Sequence, residues 1–155
     1  MKDFIYKTEP YDHQRKAFEA SAGINSYALL MDMGTGKTKV ALDTVASCFE
    51  SKRINFALIV APKGVIANWI GEIDTHLPDR VEREVLLWKP NLTKARRKEL
   101  NDLYTDTGKL KLLLMNIEAF SSKKGVSVAE LFVKKFKVFM AVDESTTIKN
   151  RQAKR

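Results

Sequence analysis

Residues 31–38 read MDMGTGKT, in which two glycines are followed by a lysine and a threonine. Gly34 and Gly36 permit tight turns in which backbone N–H groups can face phosphate oxygens. Lys37 can reach the β- and γ-phosphates of a nucleotide, and the Thr38 hydroxyl can bind Mg²⁺. We therefore predict a phosphate-binding loop that takes a nucleotide and Mg²⁺.

Apolar runs of strand length alternate with helical patterns on both sides of this loop, which is typical of βαβ units and a parallel sheet. The predicted class is α/β with three layers. Asp12 is the predicted N-cap of the first helix. The predicted strands span 26–31, 55–61, 85–88, 111–115 and 138–142, and the predicted helices span 12–22, 37–49, 65–76, 93–104 and 128–136.

The composition describes a basic globular chain of 155 residues, with 27 Lys and Arg against 19 Asp and Glu and a net charge of +8. Such a balance suggests a polyanionic partner such as nucleic acid, although a soluble protein with many lysines would look the same. Cys48 is the only cysteine, which indicates a reducing compartment, expected to be the cytoplasm of a bacterial or phage-type host. The apolar runs are too short to span a bilayer, so no membrane partner is predicted.

Two carboxylates follow the last apolar run, at Asp143 and Glu144. Asp143 can hold Mg²⁺, and Glu144 can orient and deprotonate an attacking water. An acidic pair after a strand is a weak signal alone, since a solvated turn has the same appearance. Downstream of a G-K-T loop it is a strong indication of a nucleotide hydrolase, with Lys37 and Glu144 as catalytic residues.

These motifs, in this order, resemble the first RecA-like lobe of a superfamily-two helicase-like ATPase, and most closely a Swi/Snf-type DNA translocase. Met31 stands where other phosphate loops carry their first glycine, as in many helicase-like ATPases. The resemblance extends from about Pro10 to the last residue. It is carried by YDHQR at 11–15, LIVAPK at 58–63 with NW at 68–69, LLMNIEAF at 113–120, and DESTTIKN at 143–150.

The resemblance also implies that the cofactors are ATP and Mg²⁺, and it implies roles for single residues. Gln14 is expected to read the adenine edge, and the loop after the 55–61 strand is expected to contact the DNA backbone. Trp69 is expected to be a core residue rather than a base-stacking one. The implied nucleotide-binding residues are Gln14, Gly34, Thr35, Gly36, Lys37 and Thr38; the implied metal ligands are Thr38 and Asp143; and the implied contacts to duplex DNA are Lys63, Gly64, Lys123 and Lys124.

A working member of this family has a further first-lobe motif and a whole second RecA-like lobe with an arginine finger. We expect residues 1–155 to form one lobe that lacks both, and to lack a central strand between the 26–31 strand and the 138–142 strand. Because hydrolysis depends on charge stabilisation by the opposite lobe, we expect this chain alone to have little or no ATPase activity.

Two alternatives stay open. One is another superfamily-two motor, restriction-type or RNA-directed. The other is a non-catalytic module that binds nucleic acid or protein on a degenerate nucleotide fold.

Overall fold

A computed structural model describes residues 4–91 and 93–144 of the chain. Within these residues four parallel strands form one sheet in the order β2-β3-β1-β4. The strands are β1 Phe56–Ala61, β2 Arg83–Leu87, β3 Leu110–Asn116 and β4 Val138–Val142. Their near-continuous apolar sequences suit a parallel sheet that is covered on both faces.

In this described part of the chain, five α-helices connect and cover the strands: α1 Asp12–Ser21, α2 Lys37–Glu50, α3 Asn68–His76, α4 Lys94–Tyr104 and α5 Lys123–Lys135, with a short 3-10 helix at Ile117–Ser121. Alternate residues of β1 face opposite layers. Ala57 and Ile59 pack in a core with α2 and α3, whereas Phe56 and Leu58 pack in a second core with α5. The predicted three-layer α/β fold is confirmed.

The predicted strand at 26–31 is wrong. Residues 22–36 form no helix or strand, and Leu30 and Met33 are 95% and 88% exposed. A strand exists only where a neighbour completes its hydrogen bonds. The sheet ends at β4, and no described residue pairs with the outer edge of that strand. The apolar character of the segment was therefore insufficient to make it a strand.

Several helix boundaries also differ from the prediction. Tyr11, not Asp12, is the N-cap of α1, because the Gln14 side chain accepts a hydrogen bond from the Tyr11 backbone N–H. Helix α3 begins at Asn68, since residues 62–67 form a turn. Helix α5 begins five residues early because Ser122 caps it, accepting from the Gly125 backbone N–H at 3.1 Å.

The residues at 145–150, which complete the DESTTIKN motif, lie outside the described part of the chain. In the part that is described, no helix combines the length and apolarity that crossing a bilayer requires.

Candidate nucleotide site

The loop at 31–38 lies at the edge of the sheet where the strands end. Only five residues separate α2 from β1, too few to run back along the strand. Helix α2 therefore lies antiparallel to β1 against the first core. Its 14 residues span about 21 Å, roughly the length of the strand. The amino end of α2, with the loop before it, thus lies towards the edge of the sheet at which β1 ends.

Two glycines give the loop its shape. Gly34 and Gly36 have φ angles of +76° and +81°, in the left-handed region that side chains disfavour. Gly36 also lies against α1, because a Cβ atom at this position would be 2.3 Å from Nε2 of Gln14. Both positions therefore favour glycine, and at Gly36 a Cβ atom would also displace the end of the flexible Gln14 side chain.

The loop closes around the ammonium group of Lys37. Its Nζ atom donates to the carbonyl oxygens of Met31 and Asp32, each at 3.0 Å. The Thr35 hydroxyl donates to the same Asp32 carbonyl at 2.7 Å. An ammonium has three N–H donors, so these two bonds leave one for an anion.

The amide of Gln14 joins α1 to the loop. Its Nε2 donates to the Thr35 carbonyl at 3.0 Å, while its Oε1 accepts from the Tyr11 backbone at 3.0 Å. Nε2 of His13 is also 3.0 Å from the Thr35 carbonyl. A primary amide has a second N–H and a second lone pair. Gln14 thus keeps the donor and acceptor that an adenine edge requires.

Asp143 and Glu144 follow directly on β4. The Asp143 backbone N–H donates to the Val60 carbonyl at 2.8 Å, which extends the ladder beyond the strand. Its carboxylate Oδ2 accepts a hydrogen bond from Trp69 Nε1 at 3.2 Å. Glu144 has a φ of +53°, and such backbone strain in a residue other than glycine is concentrated at functional sites.

The donor set fits a magnesium nucleotide. Turned backbone N–H groups, the Lys37 ammonium and the N-terminus of α2 are suited to phosphate. The Thr38 hydroxyl and the Asp143 carboxylate supply the oxygen ligands that Mg²⁺ prefers. The structure brings Gln14, Thr35 and Gly36 into direct contact, whereas Lys37 bonds to its own loop rather than to Asp143.

The candidate DNA contacts occupy two exposed turns. Lys63 and Gly64 lie in the turn after β1, and Lys123 and Lys124 lie in the first turn of α5, which follows β3 through the 3-10 helix. Strands β1 and β3 are neighbours in the sheet. Both turns therefore open from the same edge as the nucleotide loop.

Two features of the site were not predicted. One is the bond between Trp69 and Asp143, 74 residues apart, for which neither motif spacing nor charge gives a signal. Trp69 is 3% exposed, so its predicted place in the core is confirmed, but its N–H serves the site as well. The other is a buried ion pair in α2, in which Lys39 donates to Asp43 at 2.8 Å beneath the ring of Tyr6.

Comparison with known proteins identifies the family. Residues 7–151 match the family described as Type III restriction enzyme, res subunit, or ResIII. The chain belongs to the ResIII family. This match covers every described residue that forms the sheet and the candidate site.

Individual relatives agree with the predicted subtype. The Arabidopsis thaliana protein named "Probable ATP-dependent DNA helicase CHR12" is 30% identical over 124 residues, 79% of this chain and 10% of its own length. "Protein CHROMATIN REMODELING 24", also from Arabidopsis thaliana, is 32% identical over 102 residues, 63% of this chain and 9% of its own length. The chain thus spans about a tenth of the curated relatives that it matches.

The fold has a solved counterpart in the Sulfolobus solfataricus SWI2/SNF2 ATPase core in complex with dsDNA. That structure superposes with a TM-score of 0.68 and 19% identity, over 99% of this chain and 30% of the other. The predicted resemblance to the first lobe of a superfamily-two, Swi/Snf-type ATPase is confirmed. This ResIII chain is accordingly a helicase-like ATPase domain.

Proposed function

We propose that this ResIII chain is the ATP-binding lobe of a Swi/Snf-type DNA translocase, which binds Mg²⁺-ATP at residues 31–38. The observation that carries the proposal is the loop itself. Two glycines with positive φ wrap the loop around the Lys37 ammonium, and Gln14 holds it from the side. Donors gathered in this way at a helix N-terminus form a phosphate site.

Each residue then has a defined task. Lys37 gives its remaining N–H to the terminal phosphates, and Gln14 offers its free donor and acceptor to the base. Thr38 and Asp143 would hold Mg²⁺, which when bound neutralises charge that develops on the phosphates. Glu144 would orient and deprotonate the attacking water.

DNA binding is the second part of the proposal. Lys63, Lys123 and Lys124 are exposed in the two turns at this edge of the sheet. The chain also has a net charge of +8. Two of the similar proteins are a DNA helicase by name and an ATPase core in complex with dsDNA. We propose that the turns contact phosphates of duplex DNA, which fix position rather than sequence.

Binding of labelled ATP with Mg²⁺ tests the nucleotide proposal. We expect the wild-type chain to bind ATP weakly, and Lys37→Ala to reduce the affinity at least about tenfold, because a charge-assisted bond to phosphate is lost. Lys98→Ala is the matched control, since Lys98 is an exposed lysine of α4 on the other face of the sheet. Equal affinities for wild type and Lys37→Ala would contradict the proposal.

The same samples report on hydrolysis. We propose that this chain alone turns over little ATP, because no charge from a second lobe reaches the phosphates. Phosphate release at the rate of a DNA-stimulated motor would overturn that part while leaving ATP binding intact.

A second motor class is favoured by one observation, the restriction-enzyme description of the matching family. A restriction-type motor would use the same loop and the same carboxylates. In a protein that carries both lobes, stimulation of the ATPase by duplex DNA but not by RNA supports a DNA-directed motor. Stimulation by RNA alone would point to an RNA-directed one.

A further inference from the structure

Trp69 contacts the first core and Asp143, and it follows closely on the exposed turn at residues 62–67. Its indole is buried in the first core with Ile66 and Ile73, so packing fixes the ring. Its Nε1–H donates to Oδ2 of Asp143 at 3.2 Å. A buried indole N–H commonly finds a partner, but here the partner is the carboxylate that the proposed function assigns to Mg²⁺.

The Asp143 carboxylate is held from two directions. Its backbone is fixed to β1 through the bond to the Val60 carbonyl, and its side chain is fixed to α3 through Trp69. The indole bond uses one carboxylate oxygen. Hydrogen bonds of this kind orient metal ligands, and their loss commonly costs ten- to a hundred-fold in metal affinity.

Trp69 is also joined to the exposed turn at residues 62–67. It is the second residue of α3, directly after this turn. The Pro62 carbonyl accepts from the backbone N–H groups of Val65 at 2.9 Å and Ile66 at 3.0 Å, which makes the turn compact. Lys63 and Gly64 are exposed within it. A closed path thus runs from β1 through the turn to α3, across the indole bond to Asp143, and back to β1 through the ladder.

We propose that Trp69 is a positioning residue that orients the Asp143 carboxylate for Mg²⁺. The proposal rests on the proposed function, since it assigns Trp69 to the same nucleotide site. No single motif contains this link, because it joins α3 to the end of β4.

The other tryptophan supplies a matched control. Trp88 is also buried, at 6% exposure, and packs in the second core with Leu103. Its Nε1 has no hydrogen-bond partner in the described part of the chain. Replacing either tryptophan by phenylalanine removes an indole N–H from a core, but only Trp69→Phe removes a bond to Asp143.

The test measures ATP affinity in excess EDTA and in excess Mg²⁺, and the ratio of the two affinities is the magnesium gain. We expect Trp69→Phe to reduce this gain about tenfold while the affinity in EDTA stays within about twofold of wild type. Trp88→Phe should leave both affinities unchanged. Asp143→Asn should abolish the gain, and adding Trp69→Phe to it should have no further effect, because the two residues act as a unit.

A spectroscopic signal accompanies the titration. The two tryptophans give two indole N–H resonances, which the single phenylalanine variants assign. The Trp69 resonance should shift when Mg²⁺ is added to the ATP complex, and the Trp88 resonance should not.

The outcomes separate the two proposals. If wild type binds no ATP or shows no magnesium gain, the proposed function fails, and the role of Trp69 fails with it. If wild type shows the gain and Trp69→Phe retains it, or if that variant weakens both affinities equally, the positioning role alone is overturned. Equal weakening of both affinities would mean that Trp69 acts only through packing.

Discussion

Gly36 illustrates how one residue can set the geometry of the site. Its φ of +81° lets the chain turn from the loop into α2. The missing side chain lets Gln14 approach and bond to the Thr35 carbonyl. An alanine at this position meets both obstacles, whereas an alanine at Gly64 meets neither, since that glycine has an ordinary φ and no atom within 4 Å of the added Cβ.

We predict that Gly36→Ala lowers the ATP affinity at least about tenfold and the free energy of unfolding by roughly 1–2 kcal/mol. The left-handed backbone becomes strained, and Gln14 must leave the loop. Gly64→Ala, the control, should leave ATP affinity unchanged. Isothermal titration and urea unfolding measure the two quantities, and wild-type ATP affinity in Gly36→Ala would show that the Gln14 contact does not shape the site.

The sequence motifs indicated candidate residues for this site, but they did not indicate the contacts between them. The G-x-G-K-T spacing indicated Gly34, Gly36 and Lys37 because backbone turning and phosphate charge are local requirements. The bond from Gln14 to the Thr35 carbonyl spans 21 residues, and the bond from Trp69 to Asp143 spans 74. Such partners depend on how helices and strands pack, which local spacing does not encode.

At the scale of elements, the pairing of β2 with β3 contains a buried charge. Lys111 is 1% exposed and lies directly across from Glu84 in the register of the two strands. Its ammonium donates to the Glu84 carboxylate and to the Thr107 hydroxyl. The hydrogen bond from Lys111 lowers the pKa of Glu84. The edge strand β2 is therefore held in register by a charge pair as well as by its ladder.

We predict that Glu84→Gln destabilises the fold by about 2 kcal/mol, because it leaves the Lys111 ammonium buried without a counter-charge. This figure is below the 3–5 kcal/mol of a fully buried pair, since Glu84 remains one-third exposed. Lys111→Met should change stability by less than about 1 kcal/mol, since it removes the charge itself. Urea unfolding checks both, and a larger loss in Lys111→Met than in Glu84→Gln would contradict the desolvation argument.

The sequence predicted some strands and helices better than others. Strands β1, β3 and β4 followed from their apolar runs, because each has a partner in the sheet. The 26–31 segment has a similar apolar character but no described partner, so the strand predicted from its local pattern does not form. The start of α5 was missed because Ser122, its cap, lies before the apolar pattern begins.

At the scale of the whole molecule, residues 4–10 contact both α1 and the end of α3. Phe4 and Tyr6 pack against Phe18 of α1, with ring centroids 5.1 and 5.5 Å apart. The segment also reaches the end of α3, where the Thr8 hydroxyl lies 2.6 Å from Nδ1 of His76. Burial lowers the pKa of His76, Lys39 and Lys7 lower it further, and Glu72 opposes them.

We predict that this histidine makes the fold less stable in mild acid. Because the folded-state pKa lies below the ordinary value of about 6.5, the unfolded chain binds the proton more readily, and stability falls as the pH drops below that value. Between pH 7.5 and 5.5 the wild type should lose more stability than His76→Gln. The difference is limited to about 1.4 kcal/mol for each pH unit.

Urea unfolding at the two pH values checks this prediction. An equal loss in His76→Gln would assign the acid sensitivity to groups other than His76.

The outer edge of β4 has a practical consequence for work with this protein. No described residue pairs with that edge, and Met140 and Val142 are 54% and 38% exposed beside it. An open, apolar strand edge is a template on which another copy can add its own strand. A strand from outside the described residues, or from another copy, could therefore continue the sheet through backbone pairing at this edge. Met140→Lys should make such pairing between copies less favourable, because a charged side chain on an edge strand opposes strand addition.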